Sequence, residues 1–122
     1  MKILLDSVIL IDHFNGIKKA TDYIEDNQKN LMISVITRAE VLVGFDNTSA
    51  DIAKQLLDYF PVIPFTKDDA DVAAELRRVF RWKLPDTIQA AISKNNNLKF
   101  ATRNTKDFDP NKHNFIIIPY QI

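Results

Sequence analysis

Three carboxylates stand behind or beside apolar runs: Asp6 after Ile3-Leu4-Leu5, Glu40 inside the apolar segment 36–45, and Asp86 at the opening of a helix that begins at Pro85. A fourth acid, Asp107, follows Thr102-Arg103-Asn104 at the end of another apolar run, residues 98–101. Each has an adequate structural explanation by itself. Asp6 is a good helix N-cap, Glu40 could pair with Arg38 or another base, Asp86 suits the positive end of a helix dipole, and Asn104 and Asp107 are turn formers. Asp109-Pro110 is plain turn chemistry. Brought to one place, however, several carboxylates repel unless they are protonated or neutralised by a cation. With no cysteine, and with His13 and His113 isolated, the donor set is oxygen alone and selects Mg2+ or Mn2+ over zinc. The chemistry such a site does most naturally is phosphodiester hydrolysis, in which the ion acidifies a water and neutralises charge on phosphoryl oxygens.

What must position these acids is an alternating pattern of strands and helices. Ile3-Leu4-Leu5, Leu31-Met32-Ile33-Ser34-Val35, Val62-Ile63-Pro64-Phe65 and the runs 98–101 and 115–118 are too short for helices and rich in β-formers. Pro64 belongs at a strand edge or end. A helix should start at Ser7-Val8-Ile9. Three further helical stripes follow: Ile52, Leu56, Tyr59 and Phe60; Val72, Ala73, Leu76, Val79 and Phe80; and Leu84, Ile88, Ala91 and Ile92. Ser49 or Asn47, Asp68-Asp69 and Pro85-Asp86 mark their starts. The helix around Glu40 reads as largely buried, and the face carrying Asp86, Ala90 and Ser93 as turned from the Leu84 stripe toward a cleft. Alternation of this kind predicts an α/β fold with a parallel, mainly five-stranded sheet covered on both faces. Ligands of such sheets bind outside the carboxyl ends of the strands, where the acids lie.

Composition narrows the function classes. A chain of 122 residues, 46% apolar and 26% charged, is predicted to form a single domain over residues 1–122. Gly16 and Gly44, the only glycines, are too few and too far apart for a Gly-rich phosphate cradle. Sixteen basic and sixteen acidic residues give no net charge, so contact with nucleic acid must be local. Lack of cysteine fits a cytoplasmic home, and no apolar run has the length of a signal peptide or membrane span. A two-component receiver domain has a similar plan, but would need an acidic pair after the first strand and an Asp closing the third, where Thr66-Lys67 stand.

The segments Leu5-Asp6-Ser7-Val8-Ile9-Leu10-Ile11-Asp12, Thr37-Arg38-Ala39-Glu40 with Gly44 beyond it, Lys83-Leu84-Pro85-Asp86-Thr87-Ile88-Gln89-Ala90-Ala91, and Ala101-Thr102-Arg103-Asn104-Thr105-Lys106-Asp107-Phe108 occur in the order found in one family. On them the chain resembles the PIN-domain endoribonucleases, and among these the VapC-type toxins of bacterial toxin–antitoxin pairs. The resemblance implies a PIN-like three-layer α/β/α sandwich with an acidic Mg2+ site at the carboxyl end of its parallel sheet. It implies that Asp6 and Asp86 bind the metal directly, with Mn2+ able to substitute, and that Glu40 holds or activates a metal-bound water. Ser7 falls on a small hydroxyl position facing Asp6 or the water, and Thr102 on the strand-end threonine. Many members carry an acid where this chain has Asn104; Asp107 then takes the acid's part from three residues on. The implied partners are an RNA substrate, a cognate antitoxin that places a basic side chain among the carboxylates, and a second copy in a homodimer. Arg38, Arg103 and Lys106, nearest the acids in sequence, are candidates for RNA backbone contact, or else for pairing with those acids. Arg77-Arg78 and Arg81-Trp82-Lys83 join cations to the only tryptophan, as a base-stacking or subunit contact, or as the wet end of an amphipathic helix. The competing expectation is a catalytically weak PIN domain that binds RNA or protein without cutting.

Overall fold

A computed structural model describes residues 1–122, and none of its strands extends beyond the five apolar runs named above. In chain order the elements are β1 (Ile3–Leu5), α1 (Ser7–Phe14), α2 (Lys18–Asn27), β2 (Leu31–Ser34), α3 (Val35–Leu42), α4 (Ala50–Leu57), β3 (Val62–Ile63), α5 (Lys67–Phe80), α6 (Leu84–Asn95), β4 (Lys99–Ala101) and β5 (Ile116–Ile117). The strands form one sheet in the order β3-β2-β1-β4-β5, and every pairing is parallel. β1 lies at its centre, with Ile3 opposite Leu31 on one side and Lys99 on the other. β3 is an edge strand, so Pro64, just past its end, removes no ladder bond.

Side chains alternate across a strand, and the core divides accordingly. Ile3 and Leu5 pack with Ile9 and Leu10 of α1, Ile24 of α2, Val41 of α3 and Leu57 of α4. Leu4 points the other way, to Phe100, Phe108, Trp82 and Ile92 of α6, and α5 packs on α6 outside that layer. The result is the three-layer α/β/α sandwich. Truncating a fully buried side chain such as Leu4 or Phe100 to Ala is expected to cost about 3–5 kcal/mol through lost burial and the cavity left behind.

The helix starts follow local chemistry. Ser34 caps α3 by accepting from the Thr37 N–H at 3.1 Å. Thr66 and Asp69 form a reciprocal capping box on α5, and the other Asp69 oxygen accepts from Asn95 at 2.7 Å, tying the start of α5 to the end of α6. Pro85 lies in the first turn of α6.

The helical faces differ from the sequence expectation in four places. α4 turns Ala53 and Leu57 inward and leaves Ile52 outside; beyond its end Phe60 is buried as expected, but Tyr59 is 83% exposed. The helical period allows a stripe one residue on, and Leu56 of the expected stripe still packs partly buried against the core. α5 rests on α6 and not on the sheet, so Val79 and Phe80 stay open. α3 is not largely buried: only Thr37 and Val41 are, and Val43 is 88% exposed. α6, by contrast, is enclosed between α5 and the sheet, so Ala90 and Ser93 are buried while Leu84 is not. α2 was not anticipated as a helix. Its buried face is Ala20 and Ile24 with Tyr23 partly buried beside them, a stripe too thin to read.

Candidate active site

Strand order reverses between β1 and β4: the chain builds outward through β2 and β3, then returns to the other side of β1. At such a switch point the crevice beyond the strands is open. The Asp6 N–H donates to the Ala101 carbonyl at 2.9 Å, carrying the pairing one step past both strands and setting Asp6 beside Thr102.

Asp6 occupies the N-cap position of α1, but its carboxylate makes no capping hydrogen bond. It accepts the Thr102 hydroxyl at 2.7 Å instead. The cap explains where Asp6 sits and not where its charge points. Only 6% exposed, it has a pKa raised to about 6, first by burial, against which Thr102 works, and then by the charges of Asp86 and Glu40. Glu40, half-buried on α3, is also raised, by burial and then by Asp86, with the Ser7 side chain opposing. Asp86, in the first turn of α6, is raised by burial and by Asp107, with Lys83 opposing.

Asn104 stands between the last two acids. Its Nδ2 donates to Asp107 Oδ2 at 3.0 Å and lies 3.5 Å from Asp86 Oδ2. Its Oδ1 accepts the Asp107 N–H at 3.2 Å, and its own N–H donates to Thr102 Oγ1 at 3.1 Å. Because one end must accept and the other donate, the amide's orientation is set by the network. A neutral chain therefore runs from Asp6 through Thr102 and Asn104 to Asp107.

The structure thus brings Asp6, Glu40, Asp86 and Asp107, with Ser7, Thr102 and Asn104, to one rim. In their present rotamers no three acids stand close enough together to enclose an ion. The donor set nonetheless fits a hard divalent cation. It is oxygen only, its members raise one another's pKa, and its hydrogen-bond partners are neutral hydroxyls and an amide. The nearby guanidiniums are committed elsewhere. Arg38 pairs with Asp58 at 2.9 Å and not with Glu40. Arg103, expected at RNA backbone or at these acids, is held by Asp12: Nε to Oδ2 at 2.7 Å and Nη2 to Oδ1 at 3.1 Å. Lys106 is exposed and makes no ion pair.

Two supporting networks escaped sequence reasoning. Asp12, buried on α1, takes Arg103 and also the Tyr120 hydroxyl at 2.7 Å. Burial would raise its pKa, but the Arg103 and Tyr120 hydrogen bonds and the guanidinium charge bring it below the usual range. Arg103 lies between Thr102 and Asn104, so this pair anchors the site loop to α1. Gln89, buried on α6, accepts the Ser34 hydroxyl at 2.7 Å and donates to Thr37 Oγ1 at 2.5 Å, and Thr37 Oγ1 is 3.5 Å from the Leu5 carbonyl. It locks the helices of Glu40 and Asp86 to the strand that ends at Asp6. The available signal was a polar residue on an apolar helix face, which must find partners. Beside Glu40, a groove of about 350 Å3 is lined by Ile11, Phe14, Val41, Val43 and Phe45.

This fold and rim define a parallel three-layer α/β domain with an acid cluster at its switch point. The family model of the PIN domain matches residues 3–111, and the chain belongs to the PIN-domain family. It is 33% identical over 113 residues to Ribonuclease VapC10 of Mycobacterium tuberculosis, covering 87% of this chain and 85% of that protein. A chain of a toxin–antitoxin complex from Klebsiella pneumoniae superposes with a TM-score of 0.92 at 34% identity, covering 99% of this chain and 100% of that one. FitAcB from Neisseria gonorrhoeae shares the fold, with a TM-score of 0.80 at 20% identity over 96% of this chain and 97% of its own.

Proposed function

We propose that this protein is a divalent-metal-dependent endoribonuclease, the toxin of a toxin–antitoxin pair. The observation that carries the proposal is a rim of four acids, three with raised pKa values, whose neighbouring guanidiniums serve other carboxylates. Asp6 and Asp86 would hold Mg2+, with Mn2+ as a substitute. Such an ion lowers the pKa of water and neutralises charge developing on phosphoryl oxygens. Glu40, with its pKa raised, orients the attacking water and accepts its proton as the water meets phosphorus in line with the leaving oxygen. Ser7 steadies Glu40, Thr102 steadies Asp6, and Asn104 holds Asp107 beside Asp86. Lys106 contacts the RNA backbone. Arg38 joins it when the exposed Asp58 pair opens, a pair of little stability, while Arg103 stays with the loop.

The similarity to VapC10 and to the Klebsiella complex supports a ribonuclease restrained by an antitoxin; a homodimer is proposed with it. The apolar groove ending at Glu40 suits an antitoxin segment that brings a cationic side chain to the acids. The test is cleavage of total RNA by purified wild type and Asp6→Asn, with Mg2+, with Mn2+ and with chelator. Cleavage that needs metal and is lost in Asp6→Asn is expected. A folded, antitoxin-free wild type that cuts nothing with either ion overturns the nuclease in favour of a binding module.

A further inference from the structure

From Arg77 to Lys83 the chain carries four cations and no acid, and none of the four forms an ion pair. Arg77 is spent locally: its guanidinium donates to the carbonyls of Arg81 and Trp82 and closes the end of α5. Arg81 takes the left-handed conformation, φ 60°, at a C-cap where glycine is the usual residue. A bulky cation is thereby held in a backbone shape that disfavours it, and its side chain has no partner in the chain.

Trp82, the residue sequence reasoning put forward for stacking, is buried and cannot do it. Phe80 stacks on it instead, with centroids 4.5 Å apart and planes 10° from parallel, and is itself 43% exposed. Inward, the Trp82 ring packs at a tilt of 53° against Phe108, the residue after Asp107, with centroids 4.6 Å apart. On the other side Lys83 is the N-cap of α6, whose first turn carries Asp86. An exposed aromatic ring flanked by cations without ion pairs is therefore joined to the segments that carry the rim acids, through Trp82 and Phe108 to that of Asp107 and through Lys83 to that of Asp86.

We infer that Phe80, Arg81 and Lys83 form a shoulder that binds the single-stranded RNA next to the scissile phosphate, Phe80 stacking one base and the two cations holding its phosphates. The inference rests on the nuclease proposal and names how that site takes its substrate. Single-strand sites combine a cationic track with aromatic platforms in this way. An apolar protein partner would instead leave Arg81 and Lys83 covered and unpaired, which is costly.

The test is binding of labelled oligoadenylate and oligouridylate in chelator, followed by fluorescence anisotropy and by the emission of Trp82, the chain's single tryptophan. Wild type should bind with a change in Trp82 emission. Phe80→Leu, which keeps an apolar side chain, should weaken binding by about tenfold while Phe80→Tyr holds it. Arg81→Gln with Lys83→Gln should lower the slope of log affinity against log salt by about 1.4. Thermal melting establishes that each variant is folded. If wild type binds or cuts RNA and these variants bind as it does, the shoulder is overturned and the nuclease stands. Variants that lose self-association while keeping RNA affinity also overturn it, and assign the surface to a second copy. A wild type that neither binds nor cuts RNA overturns both.

Discussion

Replacing Asp6 by Asn should stabilise the free protein at neutral pH. The folded-state pKa of Asp6 is raised from 3.8 to about 6 by burial and by Asp86 and Glu40. Between those values the folded chain keeps a proton that the unfolded chain releases, so stability falls as pH rises through this window. Below it the proton is bound in both states and Asp6 has no effect; above it the loss is complete. At 1.36 kcal/mol per unit, a shift of about two units is worth about 3 kcal/mol. The raised value already includes the Thr102 hydrogen bond, and Asn keeps an oxygen to accept that hydroxyl as the protonated acid does, so a gain of about 3 kcal/mol is expected. The assay is urea denaturation of wild type and Asp6→Asn in chelator at several pH values. Acids remote from the rim cancel between the two proteins, so the difference reports Asp6 together with its coupling to Asp86 and Glu40: about 3 kcal/mol at pH 7, shrinking toward zero by about pH 4. Added Mg2+ should then narrow the gap by stabilising wild type alone. Equal or lower stability of Asp6→Asn at pH 7 would refute the view that this carboxylate is buried without a counterion.

Asp12→Ala strands Arg103 and Tyr120 and should cost about 1–3 kcal/mol through the charge-assisted hydrogen bonds lost from a partly exposed pair, measured by denaturation, with RNA cleavage lost even where the protein is kept folded at low temperature. Gln89→Leu leaves Ser34 and Thr37 without their partner and should cost about 1–3 kcal/mol; because α3 and α6 then lose their mutual lock, cleavage should drop more than the melting curve accounts for. Asn104→Asp replaces the bridging amide with a carboxylate between Asp86 and Asp107. In chelator it should lose about 1–2 kcal/mol through like-charge repulsion, while calorimetric Mn2+ titration should show tighter binding than wild type.

The sheet was legible because its central strands are buried on both faces, which leaves runs such as Ile3-Leu4-Leu5 with no polar alternation and only one plausible role. The acids were legible as a set because parallel strands bring their ends to one rim, so Asp6, Asp86 and Asp107 needed no contact information to be grouped. Helical faces were less legible. At α4 the expected stripe Ile52, Leu56, Tyr59 and Phe60 has a neighbour of the same period one residue on, and it is Ala53 and Leu57, with Phe60, that are buried. α2 hid for the opposite reason: only Ala20 and Ile24, with Tyr23 packed partly buried beside them, dock it, a stripe too thin to stand out. Partner choice was the least legible feature. Arg103 lies next to the acids in sequence, yet its guanidinium crosses to Asp12, ninety-one residues away, and nothing local distinguishes that choice from a contact with Asp86.

That choice bears directly on what the rim can do. A guanidinium turned onto Asp6 and Asp86 would offset their repulsion and stabilise the free chain, but it would also occupy the space a divalent ion needs. Here the groups bonded to the carboxylates are the Thr102 hydroxyl and the Asn104 amide, which orient them without neutralising them, while Lys83 acts on Asp86 without forming an ion pair. The site is consequently the least favourable part of the fold for its own charge, by about 3 kcal/mol at Asp6 alone. Any cation that binds the folded rim and not the unfolded chain draws on that energy and raises stability by mass action. A divalent ion and a partner's Lys or Arg would therefore compete for one deficit. On this basis Mg2+ should raise the melting temperature of the free protein and should do so much less once a cationic partner occupies the acids. Equal stabilisation by Mg2+ with and without such a partner would place the two in separate sites.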